Sequence, residues 1–203
     1  MAAKQGIFQV VITMPGCETF ARSLGRPLPN GAPGPPVLRS FSEPYGMQAM
    51  RGDPRLAEKL DVANECHFLS ISIVGWVVFW GGLALYEQPA PWEGTVTVFD
   101  WPEFEELQRT AQGTLYRTNQ GYFGAASIKP TALWASFLLY HCISQSKEGG
   151  ALPQLLPDGS FGTNPAKAYP PAFSRAIVKD ITAAWKKKSK AQAIRRVYFF
   201  LVV

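Results

Sequence analysis

Apolar residues in this chain fall into short blocks separated by proline and glycine, and the period changes from block to block. Within Ile7–Arg22, Val10, Val11, Ile12 and Thr13 are β-branched with no polar alternation, as in a strand buried on both faces of a parallel sheet. Pro15-Gly16 stops that strand and shapes a tight loop, and Cys17 follows at once. Asp53-Pro54 is a helix start, a capping carboxylate with proline at the first helical position. Leu56, Leu60, Ala63, His67, Ile71, Val74 and Val78 then recur at spacings of three and four as one apolar stripe. Past Leu69 the sequence is apolar on all sides, so the helix enters the core or gives way to a β-branched strand. Gly81-Gly82 ends this element, and Leu83–Tyr86 predicts a short buried strand terminating in Glu87-Gln88-Pro89.

Asp100-Trp101-Pro102 opens the next helix. Glu103, Glu105 and Glu106 suit its positive end, Phe104, Leu107 and Ala111 its inner face, and Gly113 its stop. Thr114–Asn119 and Ala132–Phe137 are expected strands, Leu138–Ser146 an expected helix, and Gly149–Asn164 a Gly/Pro loop. Pro170-Pro171 opens a last helix with Phe173, Ile177, Ile181, Ala184 and Trp185 inward. Thr19–Ser23 suggests a short helix, and Tyr198–Val203 an added strand or an exposed apolar end. Strands alternating with helices predict an α/β domain over residues 1–185. Residues 26–52 form a Pro/Gly-rich excursion within it, and 186–203 a basic, then apolar, tail. No internal repeat is visible.

Composition narrows the class. With 203 residues, 47% hydrophobic and 17% charged, the chain is long enough for one real core and is not globally disordered. The net charge of +5 suits an anionic partner such as nucleic acid, although a solvated basic tail gives the same value. The run from Lys186 to Arg196 reads as a nuclear-targeting or phosphate-binding segment, or as a charged surface. Cys17, Cys66 and Cys142 are odd in number and widely spaced, which implies a reducing, intracellular compartment and no disulfide framework. Cys66-His67 and His141-Cys142 lack C-x-x-C spacing, so no metal is expected. Met1–Gln5 leads directly into a strand-like run, so no secretory signal is expected. Phe68–Tyr86 carries no charge and is about long enough to span a bilayer. Gly75, Gly81, Gly82, Ser70 and Ser72 interrupt it, and a buried helix followed by a buried strand is the preferred reading.

Two side chains stand out chemically. Cys17, a thiol at the carboxyl end of a strand, sits where open α/β sheets place their ligands; as thiolate it is a nucleophile, and otherwise it is a small buried hydrophobe. Glu87, at the carboxyl end of another buried strand, is a charge whose burial calls for a partner or a purpose. Arg39 lies in the excursion, positioned to meet a phosphate or to be solvated.

Taken in order, these segments resemble the DNA cytosine-5 methyltransferases. Pro15-Gly16-Cys17-Glu18-Thr19-Phe20 is similar to their P-C-x-x-F-S loop and Glu87-Gln88-Pro89 to their E-N-V or E-N-P tripeptide. Tyr122-Phe123-Gly124 with Lys129-Pro130-Thr131 resembles their Y-G…Q-R-x-R segment, lysine replacing arginine. A divergent branch in retroelement-rich protist and fungal genomes resembles the chain further, through Pro35–Ser40, Asp53-Pro54 with Ala63-Asn64, and Ala166–Ala172. The resemblance covers roughly residues 7–180.

It implies a Rossmann-like methyltransferase sheet with helices on both faces and a cytosine rotated out of the duplex into a pocket. In it Cys17 attacks ring carbon 6, Glu87 hydrogen-bonds ring nitrogen 3 and the exocyclic amine, and Arg39, Gln88 and Lys129 contact the substrate. The cofactor implied is S-adenosylmethionine. The family's Gly-rich strand–loop for that donor is expected upstream of the cysteine, where only Met1–Gly6 stand. Gly16 replaces the proline before the cysteine, and Gln88 the asparagine. The expectation is therefore an incomplete sheet, a truncated or degenerate transferase with little autonomous activity, intracellular and nuclear. The alternatives are a non-catalytic, retroelement-derived module that binds nucleic acid through the basic tail, and a membrane-associated protein anchored by Phe68–Tyr86.

Overall fold

A computed structural model of the protein describes residues 8–21, 24–28, 31–125, 129–143 and 169–189, and the backbone of 199–202. Among these, five strands make one mixed sheet: β1 (Val10–Thr13), β2 (Leu83–Pro89), β3 (Thr114–Asn119), β4 (Pro130–Ala135) and β5 (Phe199–Val202). Their spatial order is β3-β4-β2-β1-β5. β1 lies parallel to β2, from Val10↔Leu83 to Thr13↔Tyr86, and β5 lies parallel along its other edge. β4 runs antiparallel to both β2 and β3. Three helices, α1 (Pro54–Phe79), α2 (Pro102–Ala111) and α3 (Pro171–Ser189), complete the α/β architecture. α1 is the crossover that two adjacent parallel strands require.

The two-residue period of β2 sorts its side chains between the sheet's faces. Leu83 and Leu85 pack with Phe173, Ala176, Ile177 and Ile181 of α3. Ala84 and Tyr86 pack with Ile71, Val74 and Val77 of α1 and with Phe104 and Leu107 of α2. The alternation then sends Glu87 to the α3 side and Gln88 to the α1 side.

α1 starts as expected. Asp53 accepts a hydrogen bond from the Arg55 amide at 2.8 Å, with Pro54 as the first helical residue. The helix then runs unbroken to Phe79, so the apolar stretch beyond Leu69 stays helical before β2 begins. Leu60, Asn64, His67, Ser70, Ile71, Val74 and Val77 form its buried face. Val62, Leu69, Phe79 and Trp80 are exposed. By length and composition alone this helix is long and apolar enough to cross a membrane, yet its inner stripe is packed on the sheet. Gly82 makes the turn into β2: a Cβ there would stand 2.4 Å from Val77 Cγ1.

Several expectations shift. β4 covers Pro130–Ala135 instead of Ala132–Phe137. The stop of α2 is Gln112, in the left-handed region at φ 50°. Gly113 answers a different need, since a Cβ there would lie 2.1 Å from the Trp134 ring. Residues 18–20 form a turn closed by the Phe20 amide on the Cys17 carbonyl at 2.9 Å, with no helix over the described part of Thr19–Ser23. Leu138–Ile143 is likewise not helical. Its His141 and Cys142 amides donate to the Asp180 carboxylate at 2.9 and 3.0 Å, and an amide committed there cannot serve a helix. α3 continues past Trp185 to Ser189, so the boundary drawn at residue 186 falls inside a helix. The added strand at the C-terminal end is β5. The Gly149–Asn164 loop and the later part of the basic run lie outside the described residues.

Candidate functional site

The cysteine loop is fixed from two sides. From the sheet, Gln88 Nε2 donates to the Pro15 carbonyl at 2.6 Å. From the other side, Arg39 donates to Thr19 Oγ1 at 3.0 Å, Asn64 Oδ1 at 2.8 Å and the Pro44 carbonyl at 2.8 Å. Its guanidinium lies 4.3 Å from the Phe20 ring centroid and 5.3 Å from that of Trp101. Such a planar fork joins three elements where a lysine would not. Burial, with Arg51 nearby, lowers its pKa to about 10. Arg39, expected as a substrate contact, is therefore a buried strut holding the excursion to the cysteine loop and α1. The Pro/Gly richness of residues 26–52 hid this, because a loop arginine ordinarily faces water.

Behind the loop, fully buried His67 shares a hydrogen bond through Nδ1 with the Tyr86 hydroxyl. Its ring meets Phe20 and Trp101 edge-on, with centroids 5.1 and 5.6 Å apart. Burial, with the Arg39 charge added, lowers its pKa to about 4. It is a neutral packing residue.

The other half of the site lies across the sheet's edge. Glu87 is 3% exposed. Its Oε2 accepts a hydrogen bond from the Tyr169 hydroxyl at 2.7 Å, and its Oε1 a long one from Gln120 Nε2 at 3.5 Å. Gln120 also donates to Thr131 Oγ1 at 3.1 Å. Lys129 enters from the β3–β4 connection. Its amide donates at 3.0 Å to Asn119 Oδ1, which also accepts from the Gly121 amide at 2.9 Å. Its Nζ lies over the Tyr169 ring, 4.8 Å from the centroid.

Charge couples these groups to Cys17. Burial raises the thiol's pKa and the Glu87 charge raises it further, while Lys129 opposes both. Burial also holds the Glu87 carboxyl above its ordinary range, with Lys129 and the Tyr169 hydrogen bond pulling the other way. Tyr169 is pushed up by burial, then by Glu87, and also by the charge of Cys17. The structure thus gathers Glu87, Lys129 and Tyr169 at the carboxyl end of β2, and Gln88 ties the Cys17 loop, at the adjacent end of β1, to the same strand. Gln88 holds the loop, and its buried Oε1 has no hydrogen-bond partner among the described residues. Sequence reasoning missed Gln120 and Tyr169 as site residues. Gln120 carried no signal, and Tyr169 lay within the Ala166–Ala172 resemblance without a role.

The three cysteines are free thiols, and no group of three metal-ligating side chains occurs among the described residues. The outer edge of β1 is taken by β5. Comparison with protein-family models, curated proteins and solved structures finds no match to this chain.

Proposed function

We propose that this chain is a DNA cytosine-5 methyltransferase-like domain of Rossmann-like descent whose described residues form the base-handling half of the site. The observation that carries the reading is a thiol and a buried carboxyl at the ends of adjacent parallel strands, with a lysine from the β3–β4 connection over the carboxyl's partner Tyr169. The resemblance in motif order names the chemistry such a set performs.

For a cytosine placed there, the Cys17 thiolate adds to ring carbon 6. A sulfur–carbon bond forms, the ring's π electrons shift toward nitrogen 3, and that nitrogen takes the proton held by Glu87. Burial raises the pKa of the Glu87 carboxyl, which favours its holding that proton. The neutral form of Glu87 also stops repelling the thiolate, and Lys129 favours the thiolate's charge. The product is an enamine, nucleophilic at carbon 5, and reversal expels the thiolate. No step runs through a methyl donor, and little autonomous methyl transfer is expected.

Addition can be read without any donor, because the enamine picks up solvent hydrogen at carbon 5. A cytosine-containing single-stranded oligonucleotide incubated with the protein in D2O is expected to gain deuterium at that carbon. The gain should be lost in Cys17→Ser and reduced in Glu87→Gln. Exchange no faster than with Cys17→Ser overturns the reading.

A second reading, non-catalytic nucleic-acid binding, is favoured by Lys186, Lys187 and Lys188 in the last turn of α3. It predicts salt-sensitive binding, indifferent to sequence, that survives Cys17→Ala and falls on neutralising those lysines.

A further inference from the structure

Tyr169 is where the site's groups meet. Its hydroxyl donates to Glu87 Oε2 at 2.7 Å, its ring lies under Lys129 Nζ, and Phe173 stacks on it at 6.0 Å with ring planes 18° apart. It is thus a flat six-membered ring that gives an edge hydrogen bond to the buried carboxyl and a face to a cation. A cytosine offers the same set, with its exocyclic amine as the donor. We propose that Tyr169 is the resident occupant of the base pocket, a phenol that keeps it closed until a planar ring with a donor edge takes its place. This rests on the base-handling reading above.

Two arguments support an occupant over a fixed wall. A carboxyl as buried as Glu87 is costly without a donor, and the phenol supplies one while no base is present. Exchange with an amine donor replaces one hydrogen bond by another, so the carboxyl is never stranded. Tyr169 also stands outside α3, ahead of Pro170 and Pro171. The Phe173 and Ser174 amides bond to the Pro170 carbonyl at 2.9 and 3.2 Å, so neither of these bonds depends on Tyr169.

The three cysteines give an internal measure of access: Cys66 is exposed, Cys142 buried, and Cys17 partly covered in the site. Labelling by N-ethylmaleimide, read residue by residue by mass spectrometry, is expected to speed up about tenfold at Cys17 in Tyr169→Ala, which loses the covering ring as well as its hydrogen bond to the carboxyl. Cys66 should be unchanged and Cys142 silent. Added p-cresol should slow Cys17 labelling again in Tyr169→Ala and not in the parent, a rescue that a structural role would not show. Tyr169→Phe keeps the ring and loses only the donor, so about a threefold rise at Cys17 is expected. Should Tyr169→Ala also expose Cys142, Tyr169→Phe decides. Unchanged labelling of Cys17 in that variant, or no protection by p-cresol in a Tyr169→Ala protein whose Cys142 stays silent, overturns the proposal. Protection by p-cresol without protection by deoxycytidine sustains the occupant and refutes the base reading.

Discussion

Gln88 reaches across 73 residues of sequence to give its side-chain amide to the Pro15 carbonyl at 2.6 Å. Because Gln88 follows Glu87 on one strand, the same backbone that presents the carboxyl on one face anchors the cysteine loop on the other. Cys17 and Glu87 are thereby held to a common frame by one side chain between two strand ends.

Removing that tether while keeping the side chain's bulk should loosen the loop. Gln88→Leu leaves the Pro15 carbonyl without its donor in a buried place, at a cost of about 1–3 kcal/mol. Urea unfolding should show the loss in the midpoint, and hydrogen exchange should quicken at the Phe20 amide, which closes the loop on Cys17. A midpoint within error of the parent would make the tether incidental.

Arg39 is expected to act on stability and not on ligand binding. Arg39→Met keeps the stem but abandons Thr19, Asn64 and the Pro44 carbonyl, and should cost about 3 kcal/mol. Arg39→Lys should recover little of it, because a point charge cannot serve three acceptors and lie over two rings. Salt should barely change the penalty, since the group is 5% exposed and poorly screened. Weaker oligonucleotide binding at unchanged stability would return Arg39 to the substrate.

How much of this was legible in the sequence depends on range. β1 and β3 stand at their expected bounds because β-branched composition and turn residues act within a few positions. α1 begins where Asp53-Pro54 puts it for the same reason. Leu138–Ile143 escaped because its amides answer to Asp180, 38 and 39 residues away. Tyr169 escaped because its partner Glu87 is 82 residues off. Periodicity carries no information about which distant donor a carboxylate will find. Cys17 and Glu87 drew notice because each follows an apolar run, and the parallel pairing of β1 with β2 sets those strand ends side by side.

Asp180 should matter more than one carboxylate usually does. It is 2% exposed, and it accepts from the His141 and Cys142 amides and, at 2.7 Å, from His141 Nδ1. Burial alone would raise its pKa, but these donors hold it below the ordinary value. Asp180→Asn turns an amide NH2 toward a donor and should cost about 2 kcal/mol or more. A depressed carboxylate stabilises the fold above its unfolded pKa of 3.8, and that share is lost as pH falls through the folded value. The parent and Asp180→Asn should therefore converge in urea midpoint at low pH.

His67 sets a separate and higher window. Its pKa is about 4 in the folded protein against 6.5 unfolded. Between these values the unfolded chain binds a proton that the buried ring refuses, so stability falls as pH drops from 6.5 toward 4. Above 6.5 both states are neutral and the slope vanishes. The full difference is about 3 kcal/mol, with burial and the Arg39 charge resisting protonation. In His67→Gln the slope of the urea midpoint between pH 6.5 and 4 should shrink, leaving only the carboxylate contribution at its acid end. An unchanged slope would mean that the ring is reached by water, and that the aromatic wall behind the cysteine loop is open.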